Sequence, residues 1–225
     1  LVSGKKMPQG INARENRKMA IFHHSFDPMG GAERLRAPRN SYSATKASAE
    51  LLCQAYFETY GLPIVTTRSS NNYGPYQHPE KLIPKTIIYA LLNKPVPIYG
   101  KGENVRDWLY VEDNCEAIDL VLHEGKNGEA YNIAAKQELK NIEVVKAILK
   151  LLKRPESLIE FVKDRPGHDL RYSLDIGKIT ELGWKPKVKF DEGIRRTVEW
   201  YKQNVNWWKP IIEKEKIDFH QKSHN

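Results

Sequence analysis

Cysteine is scarce: Cys53 and Cys115 are the only two in 225 residues, they lie far apart, and neither has a CxxC partner. That spacing argues against a disulfide framework or a zinc ribbon, and a reducing, cytoplasmic setting is expected. His, Cys and Asp nowhere gather at metal-ligand spacing, so no metal is expected. The apolar runs are short, so no membrane-spanning segment and no membrane partner are expected. The first residues show no charged segment leading into an apolar core and a small-residue cleavage site. A Gly-rich GxxGxxG turn, the usual seat of a dinucleotide pyrophosphate, is also missing. The only Gly pair before Tyr42 is Gly30-Gly31, and no apolar strand of the required kind precedes it.

Charge is unevenly spread. The formal net charge is +8, from 36 Lys and Arg against 28 Asp and Glu. Residues 1–40 hold eight basic and three acidic side chains, so this stretch carries +5 and the other 185 residues +3. No basic patch interleaved with aromatics occurs, and no nucleic acid partner is expected. A small positive excess suits a substrate that bears phosphates. Apolar residues make up 40%, which is ordinary for a globular chain of one large or two small domains.

What is present begins with Tyr42 and Lys46 in SYSATKAS, just ahead of the apolar run AELLCQAYF. Positions i and i+4 share one helix face. A cation there favours the phenolate and lowers the phenol's pKa. Such a Tyr can take a proton from an alcohol while a nicotinamide takes the hydride. The pair alone is weak, because Tyr and Lys are common on solvated helix faces. It is followed by RSSNNYGPY (68–76), PEKLIP (79–84), PIYG (97–100), RDWLYVED (106–113), YNI (131–133) and DRPGHD (164–169).

Pattern and punctuation predict alternating elements. Helices are expected over 43–60, 80–92, 113–122, 142–152, 176–182 and 191–203. Strands are expected over 63–67, 96–99, 108–111, 130–133 and 158–162. Met19–His24 is a further candidate strand. Asn141 reads as the N-cap of its helix. The order implies an α/β fold with some parallel sheet.

In order and spacing these motifs, from about Ser41 to about Pro210, closely resemble the dTDP-glucose 4,6-dehydratases, which are extended short-chain dehydrogenases/reductases. The resemblance implies an incomplete Rossmann-type parallel sheet plus a smaller α/β substrate-binding domain. Residues 1–40 then form an anomalous leader, expected to be poorly ordered. Residues 41–78 are the C-terminal part of the Rossmann domain, and 79–210 are mainly substrate domain with crossings back. Residues 211–225 are expected to be a mobile tail. A sheet cut at Ser41 would leave an open edge and uncovered apolar surface.

The same resemblance implies NAD as cofactor, a dTDP-sugar as substrate, and a homodimer for a full-length member. It assigns Tyr42 as the catalytic base, with Lys46 tuning it, and both with Asn72 on the NAD side. It assigns Asn71, Lys81, Leu82, Pro97, Tyr99, Arg106, Asn141, Arg165 and His168 to the sugar nucleotide. Plainer readings stand beside these. Asn71-Asn72-Tyr73-Gly74-Pro75 is good turn chemistry in any protein. Lys81 can be a solvated cation, Tyr99 core packing, Arg106 part of a surface network with Asp107, Asn141 only a cap, and His168 structural.

The implied reaction is loss of water from dTDP-glucose to give the 4-keto-6-deoxy sugar, with an Asp and a Glu as dehydration acid and base. The family's Ser-Thr-Asp-Glu-Val-Tyr-Gly turn meets Ser25-Phe26-Asp27-Pro28-Met29-Gly30 here. Asp27 matches the Asp, Phe26 stands at the Thr, and Pro28 stands at the Glu. A truncated or frameshifted reading frame upstream of Ser41 is expected on that ground, and activity of this chain alone is doubtful. Two alternatives follow. A sugar-nucleotide epimerase needs the Tyr/Lys pair but no dehydration pair, and a non-catalytic remnant would only bind nucleotide.

Overall fold

The computed structural model describes residues 19–24, 41–164, 170–171 and 173–215. Its first sheet is parallel. β1 (Met19–His24) runs beside β2 (Ile64–Ser69), and β6 (Ala130–Ile133) lies along the other side of β2. β2 forms because Ile64, Val65, Thr66 and Thr67 are β-branched and Gly61-Leu62-Pro63 ends the helix before it. Parallel neighbours need crossovers. α1 (Ser41–Tyr60) leads into β2, and α3 (Val111–Glu124) leads into β6. This is the Rossmann-type layer that the alternating pattern predicts.

The chain leaves that sheet at Ser70. The Ser70 N–H still donates to the Ile133 carbonyl at 2.8 Å. One residue later β3 (Asn71–Tyr73) pairs in parallel with β5 (Val105–Tyr110), and β7 (Glu138–Lys140) runs antiparallel on the far side of β5. β4 (Val96–Tyr99) and β8 (Ile159–Val162) form a parallel pair of their own. The remaining helices are α2 (Leu82–Leu91), α4 (Asn141–Leu151), α5 (Gly177–Glu181), α6 (Phe190–Gln203) and α7 (Val205–Glu215).

Two cores result. The larger gathers Tyr73, Ile83, Ile87, Trp108, Ile148 and Tyr201, and the smaller gathers Val65, Leu109, Val121, Ile133 and Trp184. Successive side chains of a strand point to opposite faces. β5 therefore sends Trp108 and Tyr110 into the larger core and Leu109 into the smaller, and the β3–β5–β7 sheet is the wall between them.

β3, β7 and α7 were not expected, β2 runs on to Ser69, and β5 starts early at Val105; three further departures have plain causes. Val111 opens α3 instead of closing β5, which puts Glu112 and Asp113 in the helix's first turn. Carboxylates there oppose the positive end of the helix dipole. Asn141 is the first helical residue of α4, not its N-cap. The cap position is Lys140, whose N–H donates to the Glu143 carboxylate at 2.7 Å. α7 runs through Pro210 to Glu215, so the described part of the expected tail is helical. Buried Trp208 and Ile212 dock that helix, and packing of this kind outweighs an unfavourable interior proline. Among the described residues no helix is long and apolar enough to cross a membrane.

Candidate active site

Register arranges the central side chains. Asn71 stands opposite Trp108, Asn72 opposite Leu109, and Tyr73 opposite Tyr110. Paired residues of neighbouring strands pleat together, so Asn71, Arg106 and Trp108 share one face of the wall. Asn72, Asp107 and Leu109 share the other. Asn71 and Asn72 are thus adjacent in sequence and aimed into opposite spaces.

Both carry half-buried side chains at the point where the chain changes sheets. The Asn72 Nδ2 donates to the Ser70 carbonyl at 3.1 Å. That bond fixes the amide's orientation and leaves Asn72 Oδ1 buried, with no donor among the described residues.

Arg106 and Asp107 are both buried, which removes the plainer reading of them as a surface network. Arg106 Nη1 donates to the Val105 carbonyl at 2.7 Å. Asp107, which sequence reasoning left without a role, is the hub of the crossover. Its Oδ1 accepts from the Ser70 hydroxyl at 3.0 Å and the Ala135 N–H at 2.8 Å, and its Oδ2 accepts from the Gln137 N–H at 3.1 Å. Burial raises its pKa, and these donors oppose the rise. The signal that could have found it is an acid inside an apolar strand pattern: such a group must be paired to be buried.

A second set collects around the β4–β5 connection. On β4, Val96 and Ile98 are buried while Pro97 and Tyr99 share the opposite, half-buried face. The Asn141 N–H donates to the Asn104 carbonyl at 3.0 Å, which holds the start of α4 beside the start of β5. Asn141 Oδ1 is buried without a donor among the described residues. Arg165 and His168 lie outside the described residues. Their flanks are anchored at the same place. Asp164 packs on Gly100, and the Leu170 carbonyl accepts the Val105 N–H at 2.7 Å. Gly100 has φ of 57°, in the left-handed region that favours glycine.

Lys81 lies on a third element. It occupies the N-cap position of α2, is exposed, and pairs with Glu80 at 2.7 Å. Leu82, the first residue of α2, is half-buried. Tyr42 and Lys46 lie in the first two turns of α1. The Tyr42 side chain is outside what the structure describes, and so are Phe26, Asp27 and Pro28. α1 is fixed to β2 by an ion pair between Glu50 and Arg68, whose Nε–Oε2 distance is 3.0 Å. Cys53 and Cys115 are free thiols. Among the described residues no cluster of three or more His, Cys, Asp or Glu could hold a metal ion.

The arrangement suits an extended, partly charged ligand: a buried guanidinium, a Tyr/Pro wall, and two buried amide oxygens that lack donors among the described residues. The chain is 47% identical over 222 residues to a probable dTDP-glucose 4,6-dehydratase of Sinorhizobium fredii, a match covering 90% of this chain and 63% of that one. A Bacillus anthracis dTDP-glucose 4,6-dehydratase solved in complex with NAD superposes with a TM-score of 0.80 at 46% identity, over 86% of this chain and 64% of that one. A Bacillus cereus UDP-glucuronic acid 4-epimerase, solved with UDP-glucuronic acid and NAD, superposes with a TM-score of 0.77 at 28% identity, over 83% of this chain and 62% of that one. The chain thus spans a little under two thirds of these proteins' length. The model of the GDP-mannose 4,6 dehydratase family matches residues 32–197. Because that match runs from ahead of α1 into α6, most of the chain, the chain belongs to this family of sugar-nucleotide dehydratases, alongside the dTDP-glucose 4,6-dehydratases it resembles.

Proposed function

We propose that this chain carries the substrate-binding part of a dTDP-glucose 4,6-dehydratase, which converts dTDP-glucose to dTDP-4-keto-6-deoxyglucose with loss of water. The observation that carries the reading is the division of the central wall: Asn71 and Arg106 on one face, Asn72 on the other. A sugar nucleotide and a dinucleotide approached from opposite sides would meet at that edge. In this reading Arg106 grips the diphosphate, as a fixed guanidinium can with two parallel hydrogen bonds. Pro97 and Tyr99 flank the base, Asn141 and Lys81 with Leu82 complete the nucleotide site, and Arg165 and His168 close over it.

NAD is tested by the residues present. Asn72 Oδ1 is a buried acceptor without a donor among the described residues, and a buried polar atom of this kind calls for a partner. The carboxamide N–H of a nicotinamide is one, so this end of the site fits. When bound, NAD supplies the hydride acceptor for oxidation at C4 and the hydride that later returns to C6. The chain's own residues would handle the proton at C4. Tyr42 takes the proton of the C4 hydroxyl, and the Lys46 ammonium favours the resulting phenolate.

The epimerase alternative rests on Pro28 standing where the family carries its dehydration Glu. The identities, 46–47% to the dehydratases against 28% to the epimerase, support the dehydratase. The homodimer belongs to the same reading, and light scattering would test it. Residues 1–225 have no GxxGxxG turn, and backbone N–H groups at such a turn normally hold the pyrophosphate. This polypeptide alone is therefore expected to bind dTDP, to bind NAD poorly, and to give no product.

The experiment is calorimetric titration of purified Leu1–Asn225 with dTDP, followed by incubation with NAD and dTDP-glucose while 4-keto sugar is monitored. Failure to bind dTDP sinks the dehydratase reading. Product from material free of host enzyme sinks the view that the chain lacks parts of the catalytic set.

A further inference from the structure

Gln77 lies in the turn between β3 and α2, and it faces two ways. Its Nε2 donates to the backbone carbonyl of Asn72 at 2.7 Å. The reverse orientation would set oxygen against oxygen, so the amide's direction is fixed. Gln77 Oε1 is then left buried, with no partner among the described residues. The Gln77 carbonyl in turn accepts the hydroxyl of Tyr201, a fully buried residue of α6. The Tyr201 carbonyl accepts the Trp208 indole N–H, from α7, at 2.8 Å.

The neighbouring residue shows how the turn is held. Tyr76 has φ of 61°, a left-handed conformation that bulky residues seldom take. It is 67% exposed, yet its ring centroid lies 4.6 Å from that of Trp200 and 5.5 Å from that of Trp207. Such strain persists only where the surroundings over-determine it. Here the result is a reversal that sends the Gln77 side chain back to Asn72 and its carbonyl out to α6.

We propose that Gln77 is a positioning residue for the Asn71–Asn72 pair, locked by the aromatic side chains of α6 and α7. The proposal rests on the reading of Asn71 and Asn72 as ligand-binding residues. By fixing the Asn72 carbonyl, Gln77 holds the peptide that follows Asn72 and with it the direction in which each asparagine points. The C-terminal helices then set site geometry through one side chain, without touching ligand.

The test has two readouts. Gln77→Met keeps the side chain's length and removes its donor, and Tyr201→Phe removes only the hydroxyl. In the ligand-free chain, hydrogen exchange over residues 71–77 should quicken about tenfold in Gln77→Met, with β2 and β6 unchanged, because a local opening has become easier. Tyr201→Phe should move the same peptide in the same direction by less. Exchange over 71–77 that matches the wild type overturns the proposal, as does a speed-up spread over all strands. In binding, Gln77→Met should weaken dTDP-glucose about fivefold, the size of one hydrogen bond, while dTDP is unaffected. Equal loss for both ligands would mean a merely structural role and also overturns it. A wild-type chain that binds neither ligand sinks the dehydratase reading, and the exchange measurement still decides the role of Gln77.

Discussion

Two helices bracket β3 in the sequence, and water treats them differently. α2 is ten residues long and seven of them are buried. It lies among β4, α4 and α6, and it has no solvated face of any width. α1 is twenty residues long, and Leu51, Leu52, Tyr56 and Tyr60 are each 50–60% exposed. Its buried side is a narrow line through Ser43 and Ala47, with Glu50 tied to Arg68 one turn further on. Small residues let that line approach the first sheet closely. The comparison separates what forms a helix from what a helix contributes: both segments are helical, but only α2 is a structural beam. α1 meets the first sheet along one narrow line and leaves most of its surface to water.

The largest expected effect tests α2. Ile87→Ala should cost about 2–5 kcal/mol in urea unfolding, because a fully buried side chain leaves a cavity. A cost below that of an exposed substitution would break the comparison at its stronger end. Next comes the wall between the cores. Asp107→Asn should cost about 1.5–3 kcal/mol, since one amide oxygen cannot replace a carboxylate that accepts three bonds.

The pH dependence of that cost has a fixed sign. Burial raises the Asp107 pKa in the folded state. As pH falls toward the unfolded carboxylate value of about 4, the folded form therefore takes up its proton first. Wild type should gain stability over Asp107→Asn on acidification, and lose that gain as pH rises through the folded pKa. A gap that widens with rising pH would show the shift to run the other way.

Arg106→Ala should weaken dTDP by about 1.5–3 kcal/mol, one charge-assisted contact. Unchanged affinity would assign Arg106 to structure alone. Gly193→Ala asks how tightly α6 meets the wall, because a Cβ there would collide with the Tyr73 hydroxyl. About 1–3 kcal/mol is expected for overpacking at such a contact. The smallest effect closes the comparison. Leu52→Ala should lie within about 0.5 kcal/mol of wild type, as at an ordinary surface position. A cost near that of Ile87→Ala would mean that the outer face of α1 is covered in solution.

Much of the fold was legible because local pattern and tertiary burial agree. Val96–Tyr99 and Ala130–Ile133 are strands with the predicted ends, and Met19–His24 is the strand its apolar residues suggested. The misreadings have separate causes. Val111 is β-branched and reads as strand, but the acids that follow it favour a helix start. Asn141 has cap chemistry, but Glu143 supplies the cap's acceptor from three residues on. The chain past Pro210 reads as a mobile tail, but the burial of Trp208 and Ile212 keeps it helical to Glu215. In the site, the motifs named Arg106, Asn71 and Asn72, but no periodicity reveals that Asp107 ties two sheets together. Gln77 escaped for a related reason: its value lies in a bond to a backbone carbonyl, which no residue type announces.

The crossover at Ser70 has one more consequence. Asn71 and Asn72 are consecutive on a strand, so the offset between the two spaces they face is set by the pleat, at about 3.3 Å of rise and a half-turn of direction. Side-chain substitution cannot change that spacing, and a loop insertion cannot stretch it. The strand works as a caliper with fixed jaws. On the proposed reading, adapting such a scaffold to a bulkier sugar would have to alter what surrounds the jaws, in the 74–81 turn, the β4–β5 connection and α4. The distance between the two gripping points would stay constant.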